Sequence, residues 1–202
     1  MKRLNFVNMT LIDYVLNLAG SSNNEPGDND LPESSYLVDC IFENLSGEIS
    51  SAVSVYNSRV YFQSRESVGK ITAFKNNISN VGSTLYSVGS VIIFQNITSA
   101  YNTAVRGGCI QIVSSEFVAL NSLFHDNHAE LGGVIFAIQS SGISVSNSVI
   151  DKNQAGTGSV IYSMANKISS EHKGIFIVYE KVENNVQPQL VFKKSMISNN
   201  WA

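Results

Sequence analysis

The sequence has few charged residues and no excess of positive charge. Lysine, arginine, aspartate and glutamate make up 14% of its 202 residues, and the net charge is −3, whereas a typical soluble protein is roughly 25% charged. Disordered chains combine low hydrophobicity with high net charge, and a hydrophobic fraction of 44% does not fit that class. Nucleic-acid binding requires a basic surface that displaces counterions from phosphates. The composition therefore predicts a folded chain that does not bind nucleic acid.

Cysteines and long apolar segments are also scarce. Two cysteines, Cys40 and Cys109, are too few for a disulfide framework, and neither has partners at metal-ligand spacing. No run approaches the roughly 20 apolar residues of a membrane-spanning helix. The stretch from Leu4 to Leu18 is interrupted by polar residues where a signal peptide is continuous. We therefore expect one domain with two plain thiols, no cofactor and no membrane span.

The chain does contain a repeat whose units are separated by unequal spacers. Each unit has an apolar anchor that is followed by asparagine two or three residues later. The anchors are Phe42, Phe74, Phe94, Phe124, Ile150 and Ile197, and the asparagines are Asn44, Asn76, Asn96, Asn127, Asn153 and Asn199, with Asn77 and Asn200 at the third position in two units. Because the variation in length lies between the shared positions, the pattern indicates a solenoid with loops between its strands.

Pairs of glycine or serine follow most anchors after eight residues. The glycines of these pairs are Gly82, Gly107, Gly108, Gly132, Gly133 and Gly158. In the Phe94 unit the pair comes five residues late. Glycine permits positive φ and the close approach of other backbone atoms. We therefore expect the pairs to form a corner of the coil.

Residues 35–202 have the periodicity of strands and no competing helical pattern. Ile143–Ser146 alternates apolar and polar residues, and Val134–Ile138 is short and rich in β-branched and aromatic side chains. A unit of roughly 20–30 residues cannot bury its own apolar face, whereas stacked units can. We predict an all-β, right-handed parallel β-helix of about six rungs, a rung being one turn of the coil. Its anchors form an interior aromatic column and its asparagines form an amide ladder.

The two ends of the chain are expected to differ from the repeats. Residues 1–34 form a separate segment: either a short amphipathic helix caps the first rung, as the spacing of Leu4, Val7 and Leu11 indicates, or Phe6 copies the anchor in a degenerate rung. Residues 20–35 have the composition of a mobile loop. The last unit stops at Ala202 without its glycine pair or a capping element. The chain is thus expected to be a piece of a longer protein, whose other rungs are its partners.

The Phe124 unit carries a resemblance to a known family. Its residues are Phe124, His125, Asp126 and Asn127, followed by Gly132, Gly133, Val134 and Ile135. This pattern resembles the Phe-x-x-Asn and Gly-Gly-x-Ile repeat of the chlamydial polymorphic outer membrane proteins, within the pectin-lyase-like β-helix group. The resemblance implies a cell-surface or secreted solenoid that serves adhesion or display. It brings no catalytic residues with it.

Candidate chemical sites are few. His125, Asp126 and His128 could hold a metal ion, although a turn recruits these residue types for backbone reasons as well. Asp126 and Asp151 lie in adjacent units, where a glycan-cleaving enzyme on this fold would need several convergent acids. Glycosylation sequons occur at Asn8, Asn44, Asn77 and Asn96, and the last three coincide with the repeated turn.

Two classes of function therefore stay open. The favoured one is a structural, adhesive or display segment of a larger extracellular or cell-surface protein, whose partner is a glycan or a host or cell-surface protein. The alternative is a carbohydrate-binding or carbohydrate-cleaving β-helix. Three or more acids that converge in one cleft would favour the enzyme, and scattered charges would favour the module.

Overall fold

The computed structural model describes residues 5–9, 16–19, 34–50, 52–65, 73–139, 142–164, 177–180 and 189–202. All regular elements in these ranges are strands. They are β1 (Asn5–Val7), β2 (Leu16–Ala19), β3 (Ser35–Val38), β4 (Ile41–Glu43), β5 (Val53–Tyr56), β6 (Arg59–Gln63), β7 (Ala73–Lys75), β8 (Ile78–Val81), β9 (Leu85–Val88), β10 (Val91–Gln95), β11 (Thr98–Ala100), β12 (Thr103–Arg106), β13 (Ile110–Val113), β14 (Glu116–Leu120), β15 (Leu123–His125), β16 (His128–Leu131), β17 (Ile135–Ile138), β18 (Gly142–Ser146), β19 (Val149–Asp151), β20 (Gln154–Thr157), β21 (Ile161–Met164), β22 (Ile177–Glu180), β23 (Gln189–Lys193) and β24 (Met196–Ser198).

The strands form four sheets, and every pairing between strands is parallel. Sheet A is β1-β4-β7-β11-β15-β19-β24, and sheet B is β8-β12-β16-β20. Sheet C is β2-β5-β9-β13-β17-β21-β22, and sheet D is β3-β6-β10-β14-β18-β23. From β7 to β21 the chain visits A, B, C and D in turn, and each return to sheet A stacks the next strand on the one before. Before β7, the described strand that follows β4 of sheet A is β5 of sheet C. This arrangement is a parallel β-helix, consistent with the right-handed coil that the sequence predicts.

The apolar residues of the strands fill the space that the four sheets enclose. Sheet D shows the alternation clearly, since Ile92 and Phe94 of β10 are fully buried while Val91, Ile93 and Gln95 face outward. A two-residue period of this kind is the expected signature of a strand with one buried face. Among the described residues, no helix is long and apolar enough to cross a membrane.

Sheet A holds the anchors in vertical register, with one exception. The residues stacked at this level are Phe6, Phe42, Phe74, Ser99, Phe124, Ile150 and Ile197. Phe94 was expected here, but it lies in sheet D and pairs with Phe62 and Ala119. The assignment of Phe94 was wrong because Asn96 follows it at a different corner of the coil. With Ser99 as the anchor, Gly107 follows eight residues later, as Gly132 follows Phe124.

The ring of Phe94 nevertheless completes the aromatic column. Phe42 and Phe74 stack with ring centroids 4.9 Å apart. Phe94 then stacks on Phe74 at 5.6 Å and on Phe124 at 6.3 Å, with its ring within 10° of both. The small side chain of Ser99 leaves the space that this ring occupies. Parallel stacked rings add roughly 0.5–1.5 kcal/mol per pair to their burial.

Each corner of the coil has one residue in the left-handed region. At the A to B corner these are Asn8, Asn44, Asn76, Tyr101, Asp126, Lys152 and Asn199; at the C to D corner, Asn57, Gly89, Ser114 and Gln139; at the D to A corner, Asp39, Asn96, Asn121, Asn147 and Lys194. Asparagine, aspartate and glycine adopt this conformation at the lowest cost. The abundance of asparagine in the sequence thus follows from the geometry of the corners.

At the B to C corner, every residue with positive φ in the described part of the chain is a glycine. Gly82, Gly107, Gly132 and Gly158 have φ between +50° and +68°, and a Cβ on any of them would collide with the carbonyl oxygen three residues ahead. The second glycine of the pair has another cause, because a Cβ on Gly108 or Gly133 would meet the backbone of the next rung. The predicted glycine corner therefore combines positive φ at its first position with close backbone approach at its second.

Both ends of the described chain continue the sheets. β1 pairs with β4 and β2 pairs with β5, so the helical alternative is wrong for residues 5–7 and 16–19. Leu4 and Leu11, and the predicted loop up to residue 33, lie outside the described residues. Near the other end β22 pairs with β21, while β24 stacks directly on β19. The long spacer before Ile197 therefore contributes an extra strand to sheet C and no extra level to sheet A.

Replacing Gly132 by alanine is expected to destabilise the fold by about 2 kcal/mol or more, because φ of +68° is unfavourable for alanine and its Cβ would strike the carbonyl of Ile135. Gly156→Ala is the matched control, since Gly156 is exposed and its φ is not positive. Its Cβ would lie 3.1 Å from the carbonyl oxygen of Glu130, so a loss of about 1 kcal/mol or less is expected. Urea unfolding followed by circular dichroism measures both, and equal losses would contradict the corner geometry.

Candidate functional site

A column of buried asparagines runs along the A to B corner. Its members are Asn77, Asn102, Asn127, Asn153 and Asn200. The side-chain oxygen of each accepts the backbone N–H of the residue at the same level in the preceding rung, at 2.8–3.2 Å. The amide nitrogen of each donates to a carbonyl of the preceding rung, as Asn127 does to Ser99 at 3.1 Å. We call this column the asparagine ladder.

Serines form two shorter columns at other corners. At the C to D corner, Ser90 accepts the backbone N–H of Ser58, and Ser115 accepts that of Ser90, at 3.2 and 3.1 Å. At the D to A corner the equivalent residues are Ser122, Ser148 and Ser195. Each of these hydroxyls donates to the carbonyl two residues before it. Cys40 occupies the same level as Ser122, and its thiol contacts the carbonyl of Val38 in the same way.

The predicted asparagines divide between two environments. Asn127 and Asn153 belong to the buried ladder, whereas Asn44, Asn76 and Asn199 are exposed residues with positive φ just before it. Asn96 has positive φ at the D to A corner and donates to the carbonyl of Ser64. The prediction missed Asn102, although it lies 25 residues from both Asn77 and Asn127. That equal spacing is the signal that could have found it.

The three predicted sequons of the repeated turn differ in accessibility. Asn77 has an exposed fraction of 0%, and its amide nitrogen donates to the carbonyl of Phe42, so the folded chain cannot carry a glycan there. Asn44 is exposed, and its amide nitrogen donates to the side chain of Asn8 at 2.9 Å. Asn96 is half-buried, with the contact to Ser64 described above. Of these three sequons, those at Asn44 and Asn96 therefore fall at the surface.

The three residues of the candidate metal site do not converge. Nδ1 of His125 lies 2.7 Å from Oδ2 of Asp126, and the His125 ring meets Tyr101 edge to face. His128 begins β16 of sheet B, on the other side of the corner, and is exposed. Among the residues that the structure describes, no group of three or more His, Cys, Asp and Glu side chains is arranged to hold a metal ion. His125 and Asp126 therefore form a surface pair at the corner.

Asp151 lies beside His125 in the register of sheet A. Its Oδ1 accepts hydrogen bonds from Ser198 at 2.7 Å and Asn199 at 2.8 Å, which join β19 to the last rung. These two bonds, together with the charges of Lys152 and His125, hold the pKa of Asp151 below its usual value. Hydrogen bonds to the ionised form favour that form, which gives the direction of the shift.

Both cysteines are buried thiols that are not joined in a disulfide, as the sequence predicts. Sγ of Cys109 lies 2.7 Å from Oγ of Ser99, inside the coil. Burial raises the pKa of Cys109 to about 12, because the thiolate would lose its hydration. The thiol is therefore an interior packing group and not a nucleophile at neutral pH.

The outer face of sheet D carries a band of apolar side chains on every strand except β18. The outward apolar residues on it are Tyr36, Val38, Tyr61, Val91, Ile93, Val118, Leu120 and Val191, which are placed by the register of β3, β6, β10, β14, β18 and β23. Tyr36 is 52% exposed, and its ring stacks on Tyr61 with centroids 4.7 Å apart. The strands are parallel, so like positions form straight rows across the face. We call this surface the D face.

A groove crosses the D face at β18. Its volume is about 320 Å³, and it is lined by Glu116, Phe117, Val118, Gly142, Ile143, Ser144, Val191 and Lys193. The outward residues of β18 are small, whereas those of β14 and β23 are larger, so β18 forms the floor and its neighbours form the walls. The groove therefore has apolar walls, a hydroxyl on its floor and one charge of each sign at its margin.

Comparisons with known proteins were made at three levels. A scan against protein-family models, a search of curated proteins and a search of solved structures returned no match to this chain. The class that the four parallel sheets and their internal ladders define is the parallel β-helix.

Asn127→Ala is expected to lower the free energy of unfolding by roughly 1–3 kcal/mol, because it leaves the buried N–H of Asn102 without its acceptor and removes the bond to the carbonyl of Ser99. Asn121→Gly is the control, since Asn121 is an exposed corner residue with φ of 49° that glycine adopts readily. The control is expected to change stability by about 0.5 kcal/mol or less. Urea unfolding compares the variants, and a similar loss in both would show that the ladder adds nothing specific.

Asp151 is expected to make stability depend on pH in the acid range. Its pKa is lowered in the folded state, so its contribution is present above the unfolded-state pKa of about 3.9 and is lost as the pH falls through the folded value. The urea midpoint of the wild type should therefore exceed that of Asp151→Asn at pH 7, and the difference should shrink as the pH is lowered below about 4. A difference that stays constant, or a carboxyl pKa above 3.9 by NMR titration, would contradict this assignment.

Proposed function

We propose that the chain is a structural and adhesive module of a larger cell-surface or secreted protein, and that it presents the D face to a partner. The D face carries this proposal, because soluble proteins rarely expose contiguous apolar surfaces unless something binds there. Tyr36 on β3, Ile93 on β10 and Val118 on β14 lie in one row across the sheet, with β6 between β3 and β10. The rigid coil holds them in one plane. Tyrosine at an exposed face also suits recognition, because it offers apolar area and a polar tip together.

The roles of the interior polar residues also support the proposal. The asparagine ladder and the two serine columns bond to the backbone of the preceding rung, and the corners are occupied by residues that suit the left-handed backbone conformation. The polar residues inside the coil therefore stabilise the fold, and the outward side chains are the ones that can contact a partner. The likeness of the Phe124 unit to the repeat of the chlamydial polymorphic outer membrane proteins supports an extracellular or cell-surface location for such a module.

A carbohydrate ligand is the second candidate, and the groove at β18 is the observation that favours it. Ser144, Glu116 and Lys193 offer a hydroxyl, a carboxylate and an ammonium group around apolar walls. Sugars present hydroxyls and apolar C–H faces together, and such a lining matches both. This candidate concerns binding, since Asp126 and Asp151 lie at the A to B corner and not in the groove.

The adhesive function is tested with beads coated with the folded chain and mixed with fixed cells or with an array of immobilised oligosaccharides. Ile93→Glu puts a charge at the centre of the D face, and retention of beads on cells is expected to fall about tenfold, because a charge would be buried at the contact. Val105→Glu, at an exposed position of sheet B, is the matched control and should leave retention unchanged.

Three results of this experiment are informative. Equal retention of the wild type and Ile93→Glu beads would contradict the proposal. If wild-type beads are retained on the oligosaccharide array and beads that carry a charged residue in place of Ser144 are not, the carbohydrate candidate is favoured. Circular dichroism of each variant checks that the coil is intact.

A further inference from the structure

The outward side chains of the D face are large near β3 and β6 and small at β18. Near the first levels the rings of Tyr36 and Tyr61 stand on β3 and β6 and form a ridge. Four levels from β3, β18 carries Gly142 and Ser144 at the corresponding outward positions, which form the floor of the groove. Ile93 and Val118 lie between them and are of intermediate size. The ridge and the groove are therefore at opposite sides of the centre of one sheet.

The charges on the D face are also placed on both sides of its centre. Arg59 begins β6 and Glu116 begins β14, in the same outward row. Nε of Arg59 is buried and has no hydrogen-bond partner within the ranges that the structure describes. Neither Arg59 nor Glu116 is among the ion pairs of the described residues. A guanidinium that forms no ion pair among the described residues and an exposed carboxylate thus stand two strands apart in the same row.

From these positions we propose that the D face binds a second copy of this chain, with a two-fold axis that runs parallel to the strands between β10 and β14. The proposal rests on the proposed function and names the partner of the D face. The rotation sets β10 against β14, β6 against β18 and β3 against β23 of the second copy. Such a contact is the same on both copies, as a two-fold interface requires.

Shape is complementary across this axis. Tyr61 of one copy lies over Ser144 of the other and enters its groove, while Tyr36 lies over Val191. At the centre Ile93 meets Val118. Each facing pair joins a larger side chain to a smaller one, or two of similar moderate size, which lets two sheets pack at the usual distance of about 10 Å.

Charge is complementary in the same arrangement. Arg59 of one copy lies over Gly142 of the other, where no side chain blocks it. The next strand of that copy begins with Glu116, about one strand spacing of 4.8 Å to the side. The guanidinium and the carboxylate can therefore pair twice in the dimer, once on each side of the axis.

The other in-plane axis fits less well. A two-fold axis perpendicular to the strands would set every strand against its own copy. Tyr61 would then meet Tyr61, and the groove over Ser144 would face itself and stay empty. Shape therefore selects the axis that is parallel to the strands.

The size of the face predicts a weak dimer. Five strand spacings of about 4.8 Å and five residues of about 3.3 Å give a plane of roughly 400 Å² on each copy. Stable interfaces bury about 800 Å² on each partner, and transient ones bury less. Weak pairing of single modules suits adhesion between surfaces that carry many copies, because avidity multiplies it.

Sedimentation equilibrium of the full chain tests the proposal between about 1 μM and 1 mM, the range in which weak interfaces of this size dissociate. The weight-average mass of the wild type is expected to rise from 22.0 kDa towards twice that value. Arg59→Glu or Glu116→Arg alone should weaken dimerisation about tenfold or more, because like charges would meet, and the double variant should restore it. Ser144→Arg fills the groove and should abolish the dimer. Glu130→Arg, on sheet B, is the control and should behave as the wild type.

The outcomes separate this inference from the proposed function. A wild type that stays monomeric at every concentration would overturn the inference. A dimer that none of the D-face variants affects would also overturn it. So would a double variant that circular dichroism shows to be folded but that does not regain dimerisation. If the chain is monomeric but Ile93→Glu still lowers the retention of beads on cells, a second copy is excluded as the partner of the D face. The adhesive function then stands. If the chain dimerises as described and Ile93→Glu leaves the beads on the cells, the dimer stands and the adhesive function fails.

Discussion

The structure depends on hydrogen bonds that corner side chains make with the backbone of the neighbouring rung. Where the chain turns from one sheet to the next, a backbone N–H points into the coil, out of reach of water. Asn127 and Ser122 show the two solutions, since each places a side-chain oxygen against such an N–H of the preceding rung. An unpaired buried N–H costs about 1–3 kcal/mol, so a coil of several rungs requires a repeating polar residue at these corners. The stacking of the phenylalanines follows from the register that these bonds set.

Much of the fold could be predicted from the sequence, because the features that define it are local. The glycine pairs indicate a corner with positive φ, the alternation indicates strands, and the equal offsets indicate stacked units. The error at Phe94 has a physical cause, since a left-handed corner asparagine follows Phe94 at Asn96 just as one follows Phe74 at Asn76. Spacing to one asparagine cannot distinguish two corners that use the same residue type. Spacing between rungs can, as the 25-residue intervals around Asn102 show.

The surface was less predictable than the interior. Which outward rows are apolar depends on how five or six strands line up, and the unequal spacers hide that alignment. Tyr36 and Tyr61 are 25 positions apart in the chain, yet their rings stack because β3 and β6 are neighbours in sheet D. The candidate metal residues show the opposite case, since His125 and His128 are close in sequence and a corner separates them. The polar residues divide accordingly: those inside the coil maintain it, and those outside are free to vary with a partner.

The corners also explain how the chain tolerates extra length. Asn153 and Asn200 are 47 residues apart, yet they bond directly, as do Asn127 and Asn153 at 26 residues. An additional segment that leaves and returns at a corner changes neither the register nor the ladder. The entropic cost of closing such a loop rises only slowly with its length. A coil of this kind can therefore acquire new peptide segments during evolution without being redesigned. The same property makes its corners suitable places to graft foreign epitopes at set intervals along a rigid rod.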